Sequence, residues 1–332
     1  MSALADPDPQ GKRTRALWTV SRGKLAIREE SIGPKPEGAV FVRSVFSGVS
    51  RGTERLVFDG NVPESEWQTM RAPMQAGEFP FPVKYGYAAV GRVDDPASSL
   101  DGKFVLALHP HQDCFFADVT KLIPVPANIP PRRATLAPNM ETALNGVWDS
   151  GAGPGDRIVI VGAGIVGCLV AALCAALPGA EVTLIDVLPS RGLLAETLGV
   201  NFSTPDTAPP QADLVFHTSA SAAGLNTAVS CAGFESRIVE MSWYGRASPV
   251  VPLGGAFHSK RLQLISSQVG AVSPLRRPRW SYERRLAKAL ALLDHEKFDA
   301  LLTHLVAFDD AAMLLPDLFD HSVDALGITI TY

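Results

Sequence analysis

Residues 157–186, RIVIVGAGIVGCLVAALCAALPGAEVTLID, constrain the fold of this chain more than any other stretch. An apolar run at 158–161 meets Gly162, Gly164 and Gly167, spaced GxGxxG, and a helix-like apolar stretch follows. A second apolar run at 182–185 ends in Asp186. Strand, glycine turn, helix, strand and acid in that order predict a βαβ unit that binds a dinucleotide. Gly162 permits a tight turn, Gly164 lets the backbone approach a pyrophosphate, and Gly167 lets helix and strand pack closely. Unpaired backbone amides at the helix start, those of Ile165, Val166 and Gly167, would then hold the phosphates. Ile165, Leu169 and Leu173 recur every four residues beside Val166 and Val170, so the helix is expected to be heavily buried. Asp186 could accept hydrogen bonds from the adenosine ribose and would repel a 2′-phosphate, which favours NAD(H). Arg191 stands close enough to offset that preference, so NADP(H) remains the lesser alternative.

A chain of 332 residues can bury a large core and is expected to split into two domains. The formal net charge is -4, with no basic stripe and only Lys12, Arg13 and Arg15 clustered near the start, which argues against nucleic acid as a partner. The opening residues, MSALADPDPQGKR, lack the apolar segment of a secretion signal, so secretion is not expected. The longest apolar stretch, 165–177, is too short to span a membrane. The cysteines, Cys114, Cys168, Cys174 and Cys231, show no CxxC spacing, so a reduced, cytoplasmic protein is expected.

Short β-type runs punctuated by glycine and proline fill residues 16–125, among them 39–46, 88–93 and 103–108. A proline-rich link at 126–131 leads to an expected helix at 133–147. Runs at 158–161, 182–185, 214–217, 237–241 and 262–266 then read as a largely parallel sheet covered by helices. Further helices are expected at 282–293 and 309–318. The β-type end, 328–332, could rejoin the first domain's sheet.

SGVSRGTE at 47–54, PVKYGYAAVGRV at 82–93, the glycine fingerprint and LLTH at 301–304 together resemble the medium-chain dehydrogenase/reductase superfamily, over roughly residues 20–332. The pairing of SGVSRGTE with KYGYAAVG is nearest to a bacterial subgroup that includes bacteriochlorophyllide a dehydrogenase. The resemblance implies a GroES-like catalytic domain over 1–135 and 271–332, and a Rossmann domain over 136–270. It further implies an active site between the domains, and homodimers or tetramers. It also implies that Thr142 lies beside the nicotinamide and that Glu54 orders its loop. Zinc-dependent members carry a cysteine where Ser50 stands, and a histidine and glutamate where Tyr87 and Ala88 stand. A serine hydroxyl and a neutral phenol are poor zinc donors, so no catalytic zinc is expected.

The resemblance turns Tyr87 toward the active site, where its phenol either binds a substrate oxygen or fills the space a metal would take. Ser50 and Thr53 could orient the same oxygen. His109 and His111 resemble a metal cluster with Cys114, but Pro110 restricts their geometry; loop hydrogen bonding or proton transfer are the other readings. Arg51 reads as an anchor for an anionic substrate or as a salt bridge, and Lys84 as a solvated charge. Thr218, Ser219, Met241 and Ser242 follow sheet strands at their carboxyl ends, which makes them cofactor-side candidates; His217 reads as a strand-end surface residue. Residues 64–81, with Met70 and Met74, could form an apolar lid. The expected activity is hydride exchange between NAD(H) and an alcohol or carbonyl group of a small or medium organic substrate. Reduction of an activated C=C bond and a non-catalytic nucleotide sensor are the alternatives.

Overall fold

A computed structural model describes residues 12–320 and 322–332. The polar N-terminal stretch expected over residues 1–15 lies outside the described residues as far as residue 11; Arg13 and Arg15 belong to a strand. The chain forms β1 (Arg13–Ser21), β2 (Lys24–Ser31), β3 (Ala39–Val49), α1 (Arg51–Phe58), β4 (Ala76–Gly77), β5 (Val83–Lys84), β6 (Ala89–Val93), β7 (Phe104–Ala107), β8 (Cys114–Asp118), β9 (Ile123–Pro124) and α2 (Pro131–Ala134). Then come α3 (Ala137–Ser150), β10 (Arg157–Val161), α4 (Ile165–Cys174), β11 (Glu181–Ile185), α5 (Arg191–Leu198), β12 (Asn201–Ser203), β13 (Ala212–His217), α6 (Ala222–Cys231), β14 (Ala232–Glu240), β15 (Gln263–Ser266) and α7 (Tyr282–Ala291). β16 (His304–Ala307), α8 (Ala311–Phe319) and β17 (Ile328–Thr331) complete it. Among the described residues, no helix is long and apolar enough to cross a membrane.

Two compact units result, one from residues 1–135 and 304–332, the other from 136–303. The first is β-rich and GroES-like. Its larger sheet runs β16-β17-β3-β6-β7-β9, with β8 also on β3, and a smaller one runs β2-β1-β5-β4. β17 does rejoin this unit's sheet, antiparallel to β3, with Ile328 opposite Val49. The second unit is a Rossmann sheet in the order β12-β11-β10-β13-β14-β15, parallel at every pairing. Its inner strands are apolar on both faces because helices cover both: Ile158, Ile160, Val215 and Ile238 are fully buried. The strand order reverses at β10, so the carboxyl ends of β10 and β13 flank the place where such sheets take ligands.

Two expectations change. Residues 271–303 fall in the Rossmann unit, not with the GroES-like one as expected. The reason is Arg285 on α7, wholly buried against α3. Its Nε donates to Glu141 Oε1 (2.9 Å), its Nη1 to Asn145 Oδ1 (2.6 Å) and to the Ala271 carbonyl (3.1 Å), and its Nη2 to the Val269 carbonyl. The single helix expected at 133–147 is two, α2 and α3. Pro138 lacks an N–H and fits only the first turn of a helix, so a new helix starts there. α4 is heavily buried, as expected: Leu169 and Val170 are fully buried together with Cys168, Ala171 and Cys174, while Ile165, Val166 and Leu173 are half-buried. Small residues let this helix sit close to α3 and β11.

Burial raises the Glu141 carboxyl above its usual range, and the Arg285 guanidinium opposes that shift. Arg285→Leu is expected to cost about 3–5 kcal/mol in urea unfolding, because it strands a buried carboxylate and three carbonyls or amides. Adding Glu141→Leu should recover part of that loss; no loss in the single variant would contradict the role given to the pair.

Candidate functional site

In the Rossmann unit the chain leaves β10 through Gly162, whose φ of 111° lies in a region side chains avoid. A Cβ there would come within 2.8 Å of the Ser219 amide nitrogen. At Gly167 a Cβ would sit 1.9 Å from the Gly162 carbonyl oxygen, so α4 can cross the turn only without a side chain there. Gly164, exposed at the N-cap of α4, has open space where its Cβ would be and no side-chain cap. The amides of Ile165, Val166 and Gly167 therefore start a ten-residue helix facing a cradle shaped to admit an anion.

Asp186 bends back onto this turn. Its Oδ2 accepts from the Ala163 amide (2.7 Å) and its Oδ1 from the Leu188 amide (3.0 Å). Each carboxylate oxygen keeps a further lone pair for a ribose hydroxyl. Arg191 begins α5, and both its charge and that of Asp186 reach the buried Cys168 thiol, which burial pushes up to about 12. Acid and guanidinium thus stand near one point, which leaves room for either dinucleotide.

The remaining cofactor candidates divide. Thr218 Oγ1 donates to the Gly162 carbonyl (2.8 Å), closing one wall of the glycine turn. Ser219 lies against the same turn, and Ser242 Oγ accepts from the Ala220 amide (3.1 Å). Met241 instead packs its thioether on α3, where a Cβ at Gly146 would meet Met241 Cε at 2.5 Å. Thr142 donates to the Pro138 carbonyl within its own helix (3.1 Å). His217 is fully buried rather than on the surface, because its neighbours in register include Glu240 on β14, whose carboxylate takes the ring's Nδ1 (2.8 Å). Glu240 and its partner Tyr244 were not singled out by sequence reasoning; the available signal was an acid and a histidine both ending apolar runs.

The GroES-like unit gathers the other candidates. Tyr87 is hydrogen-bonded to the hydroxyls of Ser50, the residue before α1, and Thr53, in its first turn. Burial pushes the phenol up to about 12 against the opposing pull of those two bonds, so it stays protonated at neutral pH. Glu54 Oε1 accepts from the Ser50 amide (2.7 Å), while its Oε2 meets His111 Nε2 (2.9 Å). His111 Nδ1 meets Ser47 Oγ (2.7 Å), which in turn meets the Tyr332 hydroxyl (2.9 Å). Glu54, His111 and Tyr85 border a cavity of about 20 Å³, room for one water.

His109 takes no part in that network. Its ring stacks on Phe115 with centroids 3.7 Å apart, and burial holds its pKa down at about 3. Pro110 breaks the strand, so His109 and His111 serve different neighbours. Lys84 is buried, not solvated: its Nζ donates to Glu30 Oε2 and to Gln112 Oε1, both at 2.7 Å. Arg51 donates to the carbonyls of Leu318 (2.8 Å), Ala325 (2.7 Å), Val323 (3.0 Å) and Asp320, fastening the end of α8 and the segment after it. In the 64–81 loop, Met74 is exposed but Phe79 is buried against Tyr85.

No family model matches the chain. Over 225 residues it is 28% identical to a Haemophilus influenzae protein described as an uncharacterized zinc-type alcohol dehydrogenase-like protein, covering 64% of this chain and 61% of that one. Over 156 residues it is 29% identical to 2-dehydro-3-deoxy-L-galactonate 5-dehydrogenase of Pseudoalteromonas atlantica, covering 44% and 45%. The chain thus spans less than two thirds of the length of these relatives. Among solved structures it is similar to L-idonate 5-dehydrogenase of Escherichia coli (TM-score 0.77, 15% identity, 97% of this chain and 99% of that one). It is also similar to a Sinorhizobium meliloti protein, provisionally assigned as a zinc-binding dehydrogenase and bound to NADP (TM-score 0.76, 17% identity, 97% and 100%). A third is an Escherichia coli protein described as a short chain alcohol dehydrogenase, complexed with NADH (TM-score 0.74, 15% identity, 97% and 100%). This is the medium-chain dehydrogenase/reductase fold. Within it, the positions compared with zinc ligands hold Ser50, Tyr87 and Ala88. Among the described residues, no three His, Cys, Asp or Glu side chains converge to hold a metal ion.

The neutral His109 ring gives a pH test. Its folded pKa lies below the ordinary 6.5, so below that pH the unfolded chain takes up a proton the folded chain refuses. Stability from this group is complete above pH 6.5 and drains away as the pH falls toward about 3. His109→Phe, which keeps the ring stack, should flatten the fall in melting midpoint between pH 6.5 and 4 (roughly the window of acid titration). An unchanged slope would contradict the assignment.

Proposed function

We propose that the chain is a cytoplasmic NAD(H)-dependent oxidoreductase that works on a carbonyl or conjugated carbonyl substrate without catalytic zinc. The glycine turn carries the reading: Gly164 is open to an approaching phosphate, the start of α4 is uncapped, and Asp186 is tied to the same loop. The pyrophosphate would rest on the amides of Ile165, Val166 and Gly167, and the adenosine ribose on Asp186. Asp186 favours NAD(H); Arg191 keeps NADP(H) within reach. When bound, the nicotinamide supplies or takes up the hydride.

The GroES-like unit would handle the substrate oxygen. Tyr87, kept protonated by burial, is equipped to donate a hydrogen bond to an oxygen that gains negative charge. It is poorly equipped to remove a proton from an alcohol near pH 7. Reduction of a ketone, or of an enone whose oxygen becomes enolate-like, is therefore better supported than alcohol oxidation. Ser50 and Thr53 hold the phenol in place. Glu54 and His111 would exchange the proton with solvent through a water in the adjoining cavity, in the role foreseen for His111; His109 is left as a packing residue. The bacterial subgroup likeness extends the substrate panel to tetrapyrrole-sized molecules. A homodimer is the favoured assembly: β15 is an open edge of the Rossmann sheet and carries the exposed Leu264.

A panel of ketones, enones and alcohols followed by NADH absorbance tests the reaction class. Turnover of ketones or enones is expected; tight NADH binding without turnover of any substrate would instead favour a sensor. In an active assay Tyr87→Phe should lower kcat by about 10²-fold, leaving the Kd for NADH unchanged. Gly164→Val is expected to leave the melting midpoint unchanged, because its Cβ meets open space, yet to weaken NADH by about tenfold or more. Unaltered NADH affinity in that variant would count against the pyrophosphate site.

A further inference from the structure

His217 is wholly buried at the end of β13, a polar ring following the buried apolar run Leu214, Val215 and Phe216. An apolar side chain would fill this volume without any desolvation cost. What the imidazole adds is direction, since both ring nitrogens are engaged. Nδ1 lies 2.8 Å from Glu240 Oε2, and Nε2 lies 2.7 Å from Ser219 Oγ. An ionised carboxylate only accepts, so Nδ1 carries a proton toward Glu240, while Nε2 and the Ser219 hydroxyl share the second hydrogen bond. Tyr244 OH donates to the same Glu240 oxygen (3.1 Å), and the Ser242 amide donates to Glu240 Oε1 (2.8 Å).

Beyond Ser219 the chain of contacts continues. Ser219 Oγ meets Ser221 Oγ (3.0 Å), and Ser221 caps α6 by accepting from the Gly224 amide (3.0 Å). A Cβ at Gly224 would lie 2.1 Å from Ser219 Oγ, so the first turn of α6 covers this hydroxyl. That cover makes Ser219 unsuitable as a nucleophile despite its triad-like partners. Ala220, between the two serines, holds a φ of 51° that non-glycine residues seldom adopt. The segment lies directly on the glycine turn: Ser219 N and Cα are 2.8 and 2.9 Å from where a Gly162 Cβ would stand.

We propose that Glu240 and His217, acting through Ser219, are positioning residues that press the 218–221 segment against the glycine turn and thereby set its affinity for a dinucleotide. This rests on the dinucleotide reading of that turn. It assigns a task to a half-buried acid and a buried imidazole that the oxidoreductase reading leaves idle.

The test is NADH fluorescence titration of the full chain, with melting midpoints measured in parallel. Glu240→Ala and His217→Leu are each expected to raise the Kd for NADH by about tenfold, with ADP-ribose weakened in parallel. Glu240→Gln, whose carbonyl oxygen still accepts from Nδ1–H, should rescue binding to within about twofold. Lower melting midpoints with unchanged Kd values would overturn the proposal, as would failure of Glu240→Gln to rescue. Should the buried variants not fold, Ser219→Ala at its half-buried site decides: a weakened Kd supports the relay and an unchanged one overturns it. If the unsubstituted chain does not bind NADH, the dinucleotide reading falls and takes the relay with it. If it binds and the variants bind equally, the relay alone falls.

Discussion

A methyl group on Gly167 would stand 1.9 Å from the carbonyl oxygen of Gly162, and the Rossmann unit is organised around that contact. Because nothing intervenes, α4 crosses directly over the end of β10. Its first amides are left at the mouth of the turn instead of being drawn away from it. The same closeness brings the Asp186 carboxylate within reach of the Ala163 amide, and the Thr218 hydroxyl within reach of the Gly162 carbonyl. Three consecutive parallel strands, β11, β10 and β13, thus end at one small polar region while their bodies stay apolar.

In the GroES-like unit, burial sorts side chains that look equivalent in composition. Two histidines separated by Pro110 have different roles: His109 is a neutral ring stacked on Phe115, and His111 bridges Glu54 and Ser47. A half-buried phenol beside two hydroxyls is raised above its usual range and stays a donor at neutral pH. In the proposed reaction this unit would polarise an oxygen, with proton exchange left to the Glu54–His111 pair.

Features dictated by backbone geometry were legible in the sequence. Gly162 and Gly167 announce themselves because a side chain fits at neither position, Gly164 shows by its spacing between them, and the inner parallel strands show as short apolar runs. The return of 328–332 to the first sheet could also be read. What escaped depends on partners far away in the chain. Lys84 looks solvated until Glu30 and Gln112 are brought to it, and His217 looks superficial until β14 sets Glu240 beside it. The membership of 271–303 hinges on Arg285 meeting Glu141, 144 residues earlier, a pairing no local pattern records. Met241 packs into the slot that the missing side chain at Gly146 opens on α3, a neighbour no local pattern shows. In each case the residue type was visible and its neighbour was not.

The central claim is that the amides at the start of α4 grip the phosphates of a dinucleotide. Amide NMR of the labelled chain during NADH addition tests it most directly. The expected result is saturable movement concentrated at Gly164, Ile165, Val166 and Gly167. Saturable NADH binding that leaves those four amides unmoved would contradict the account.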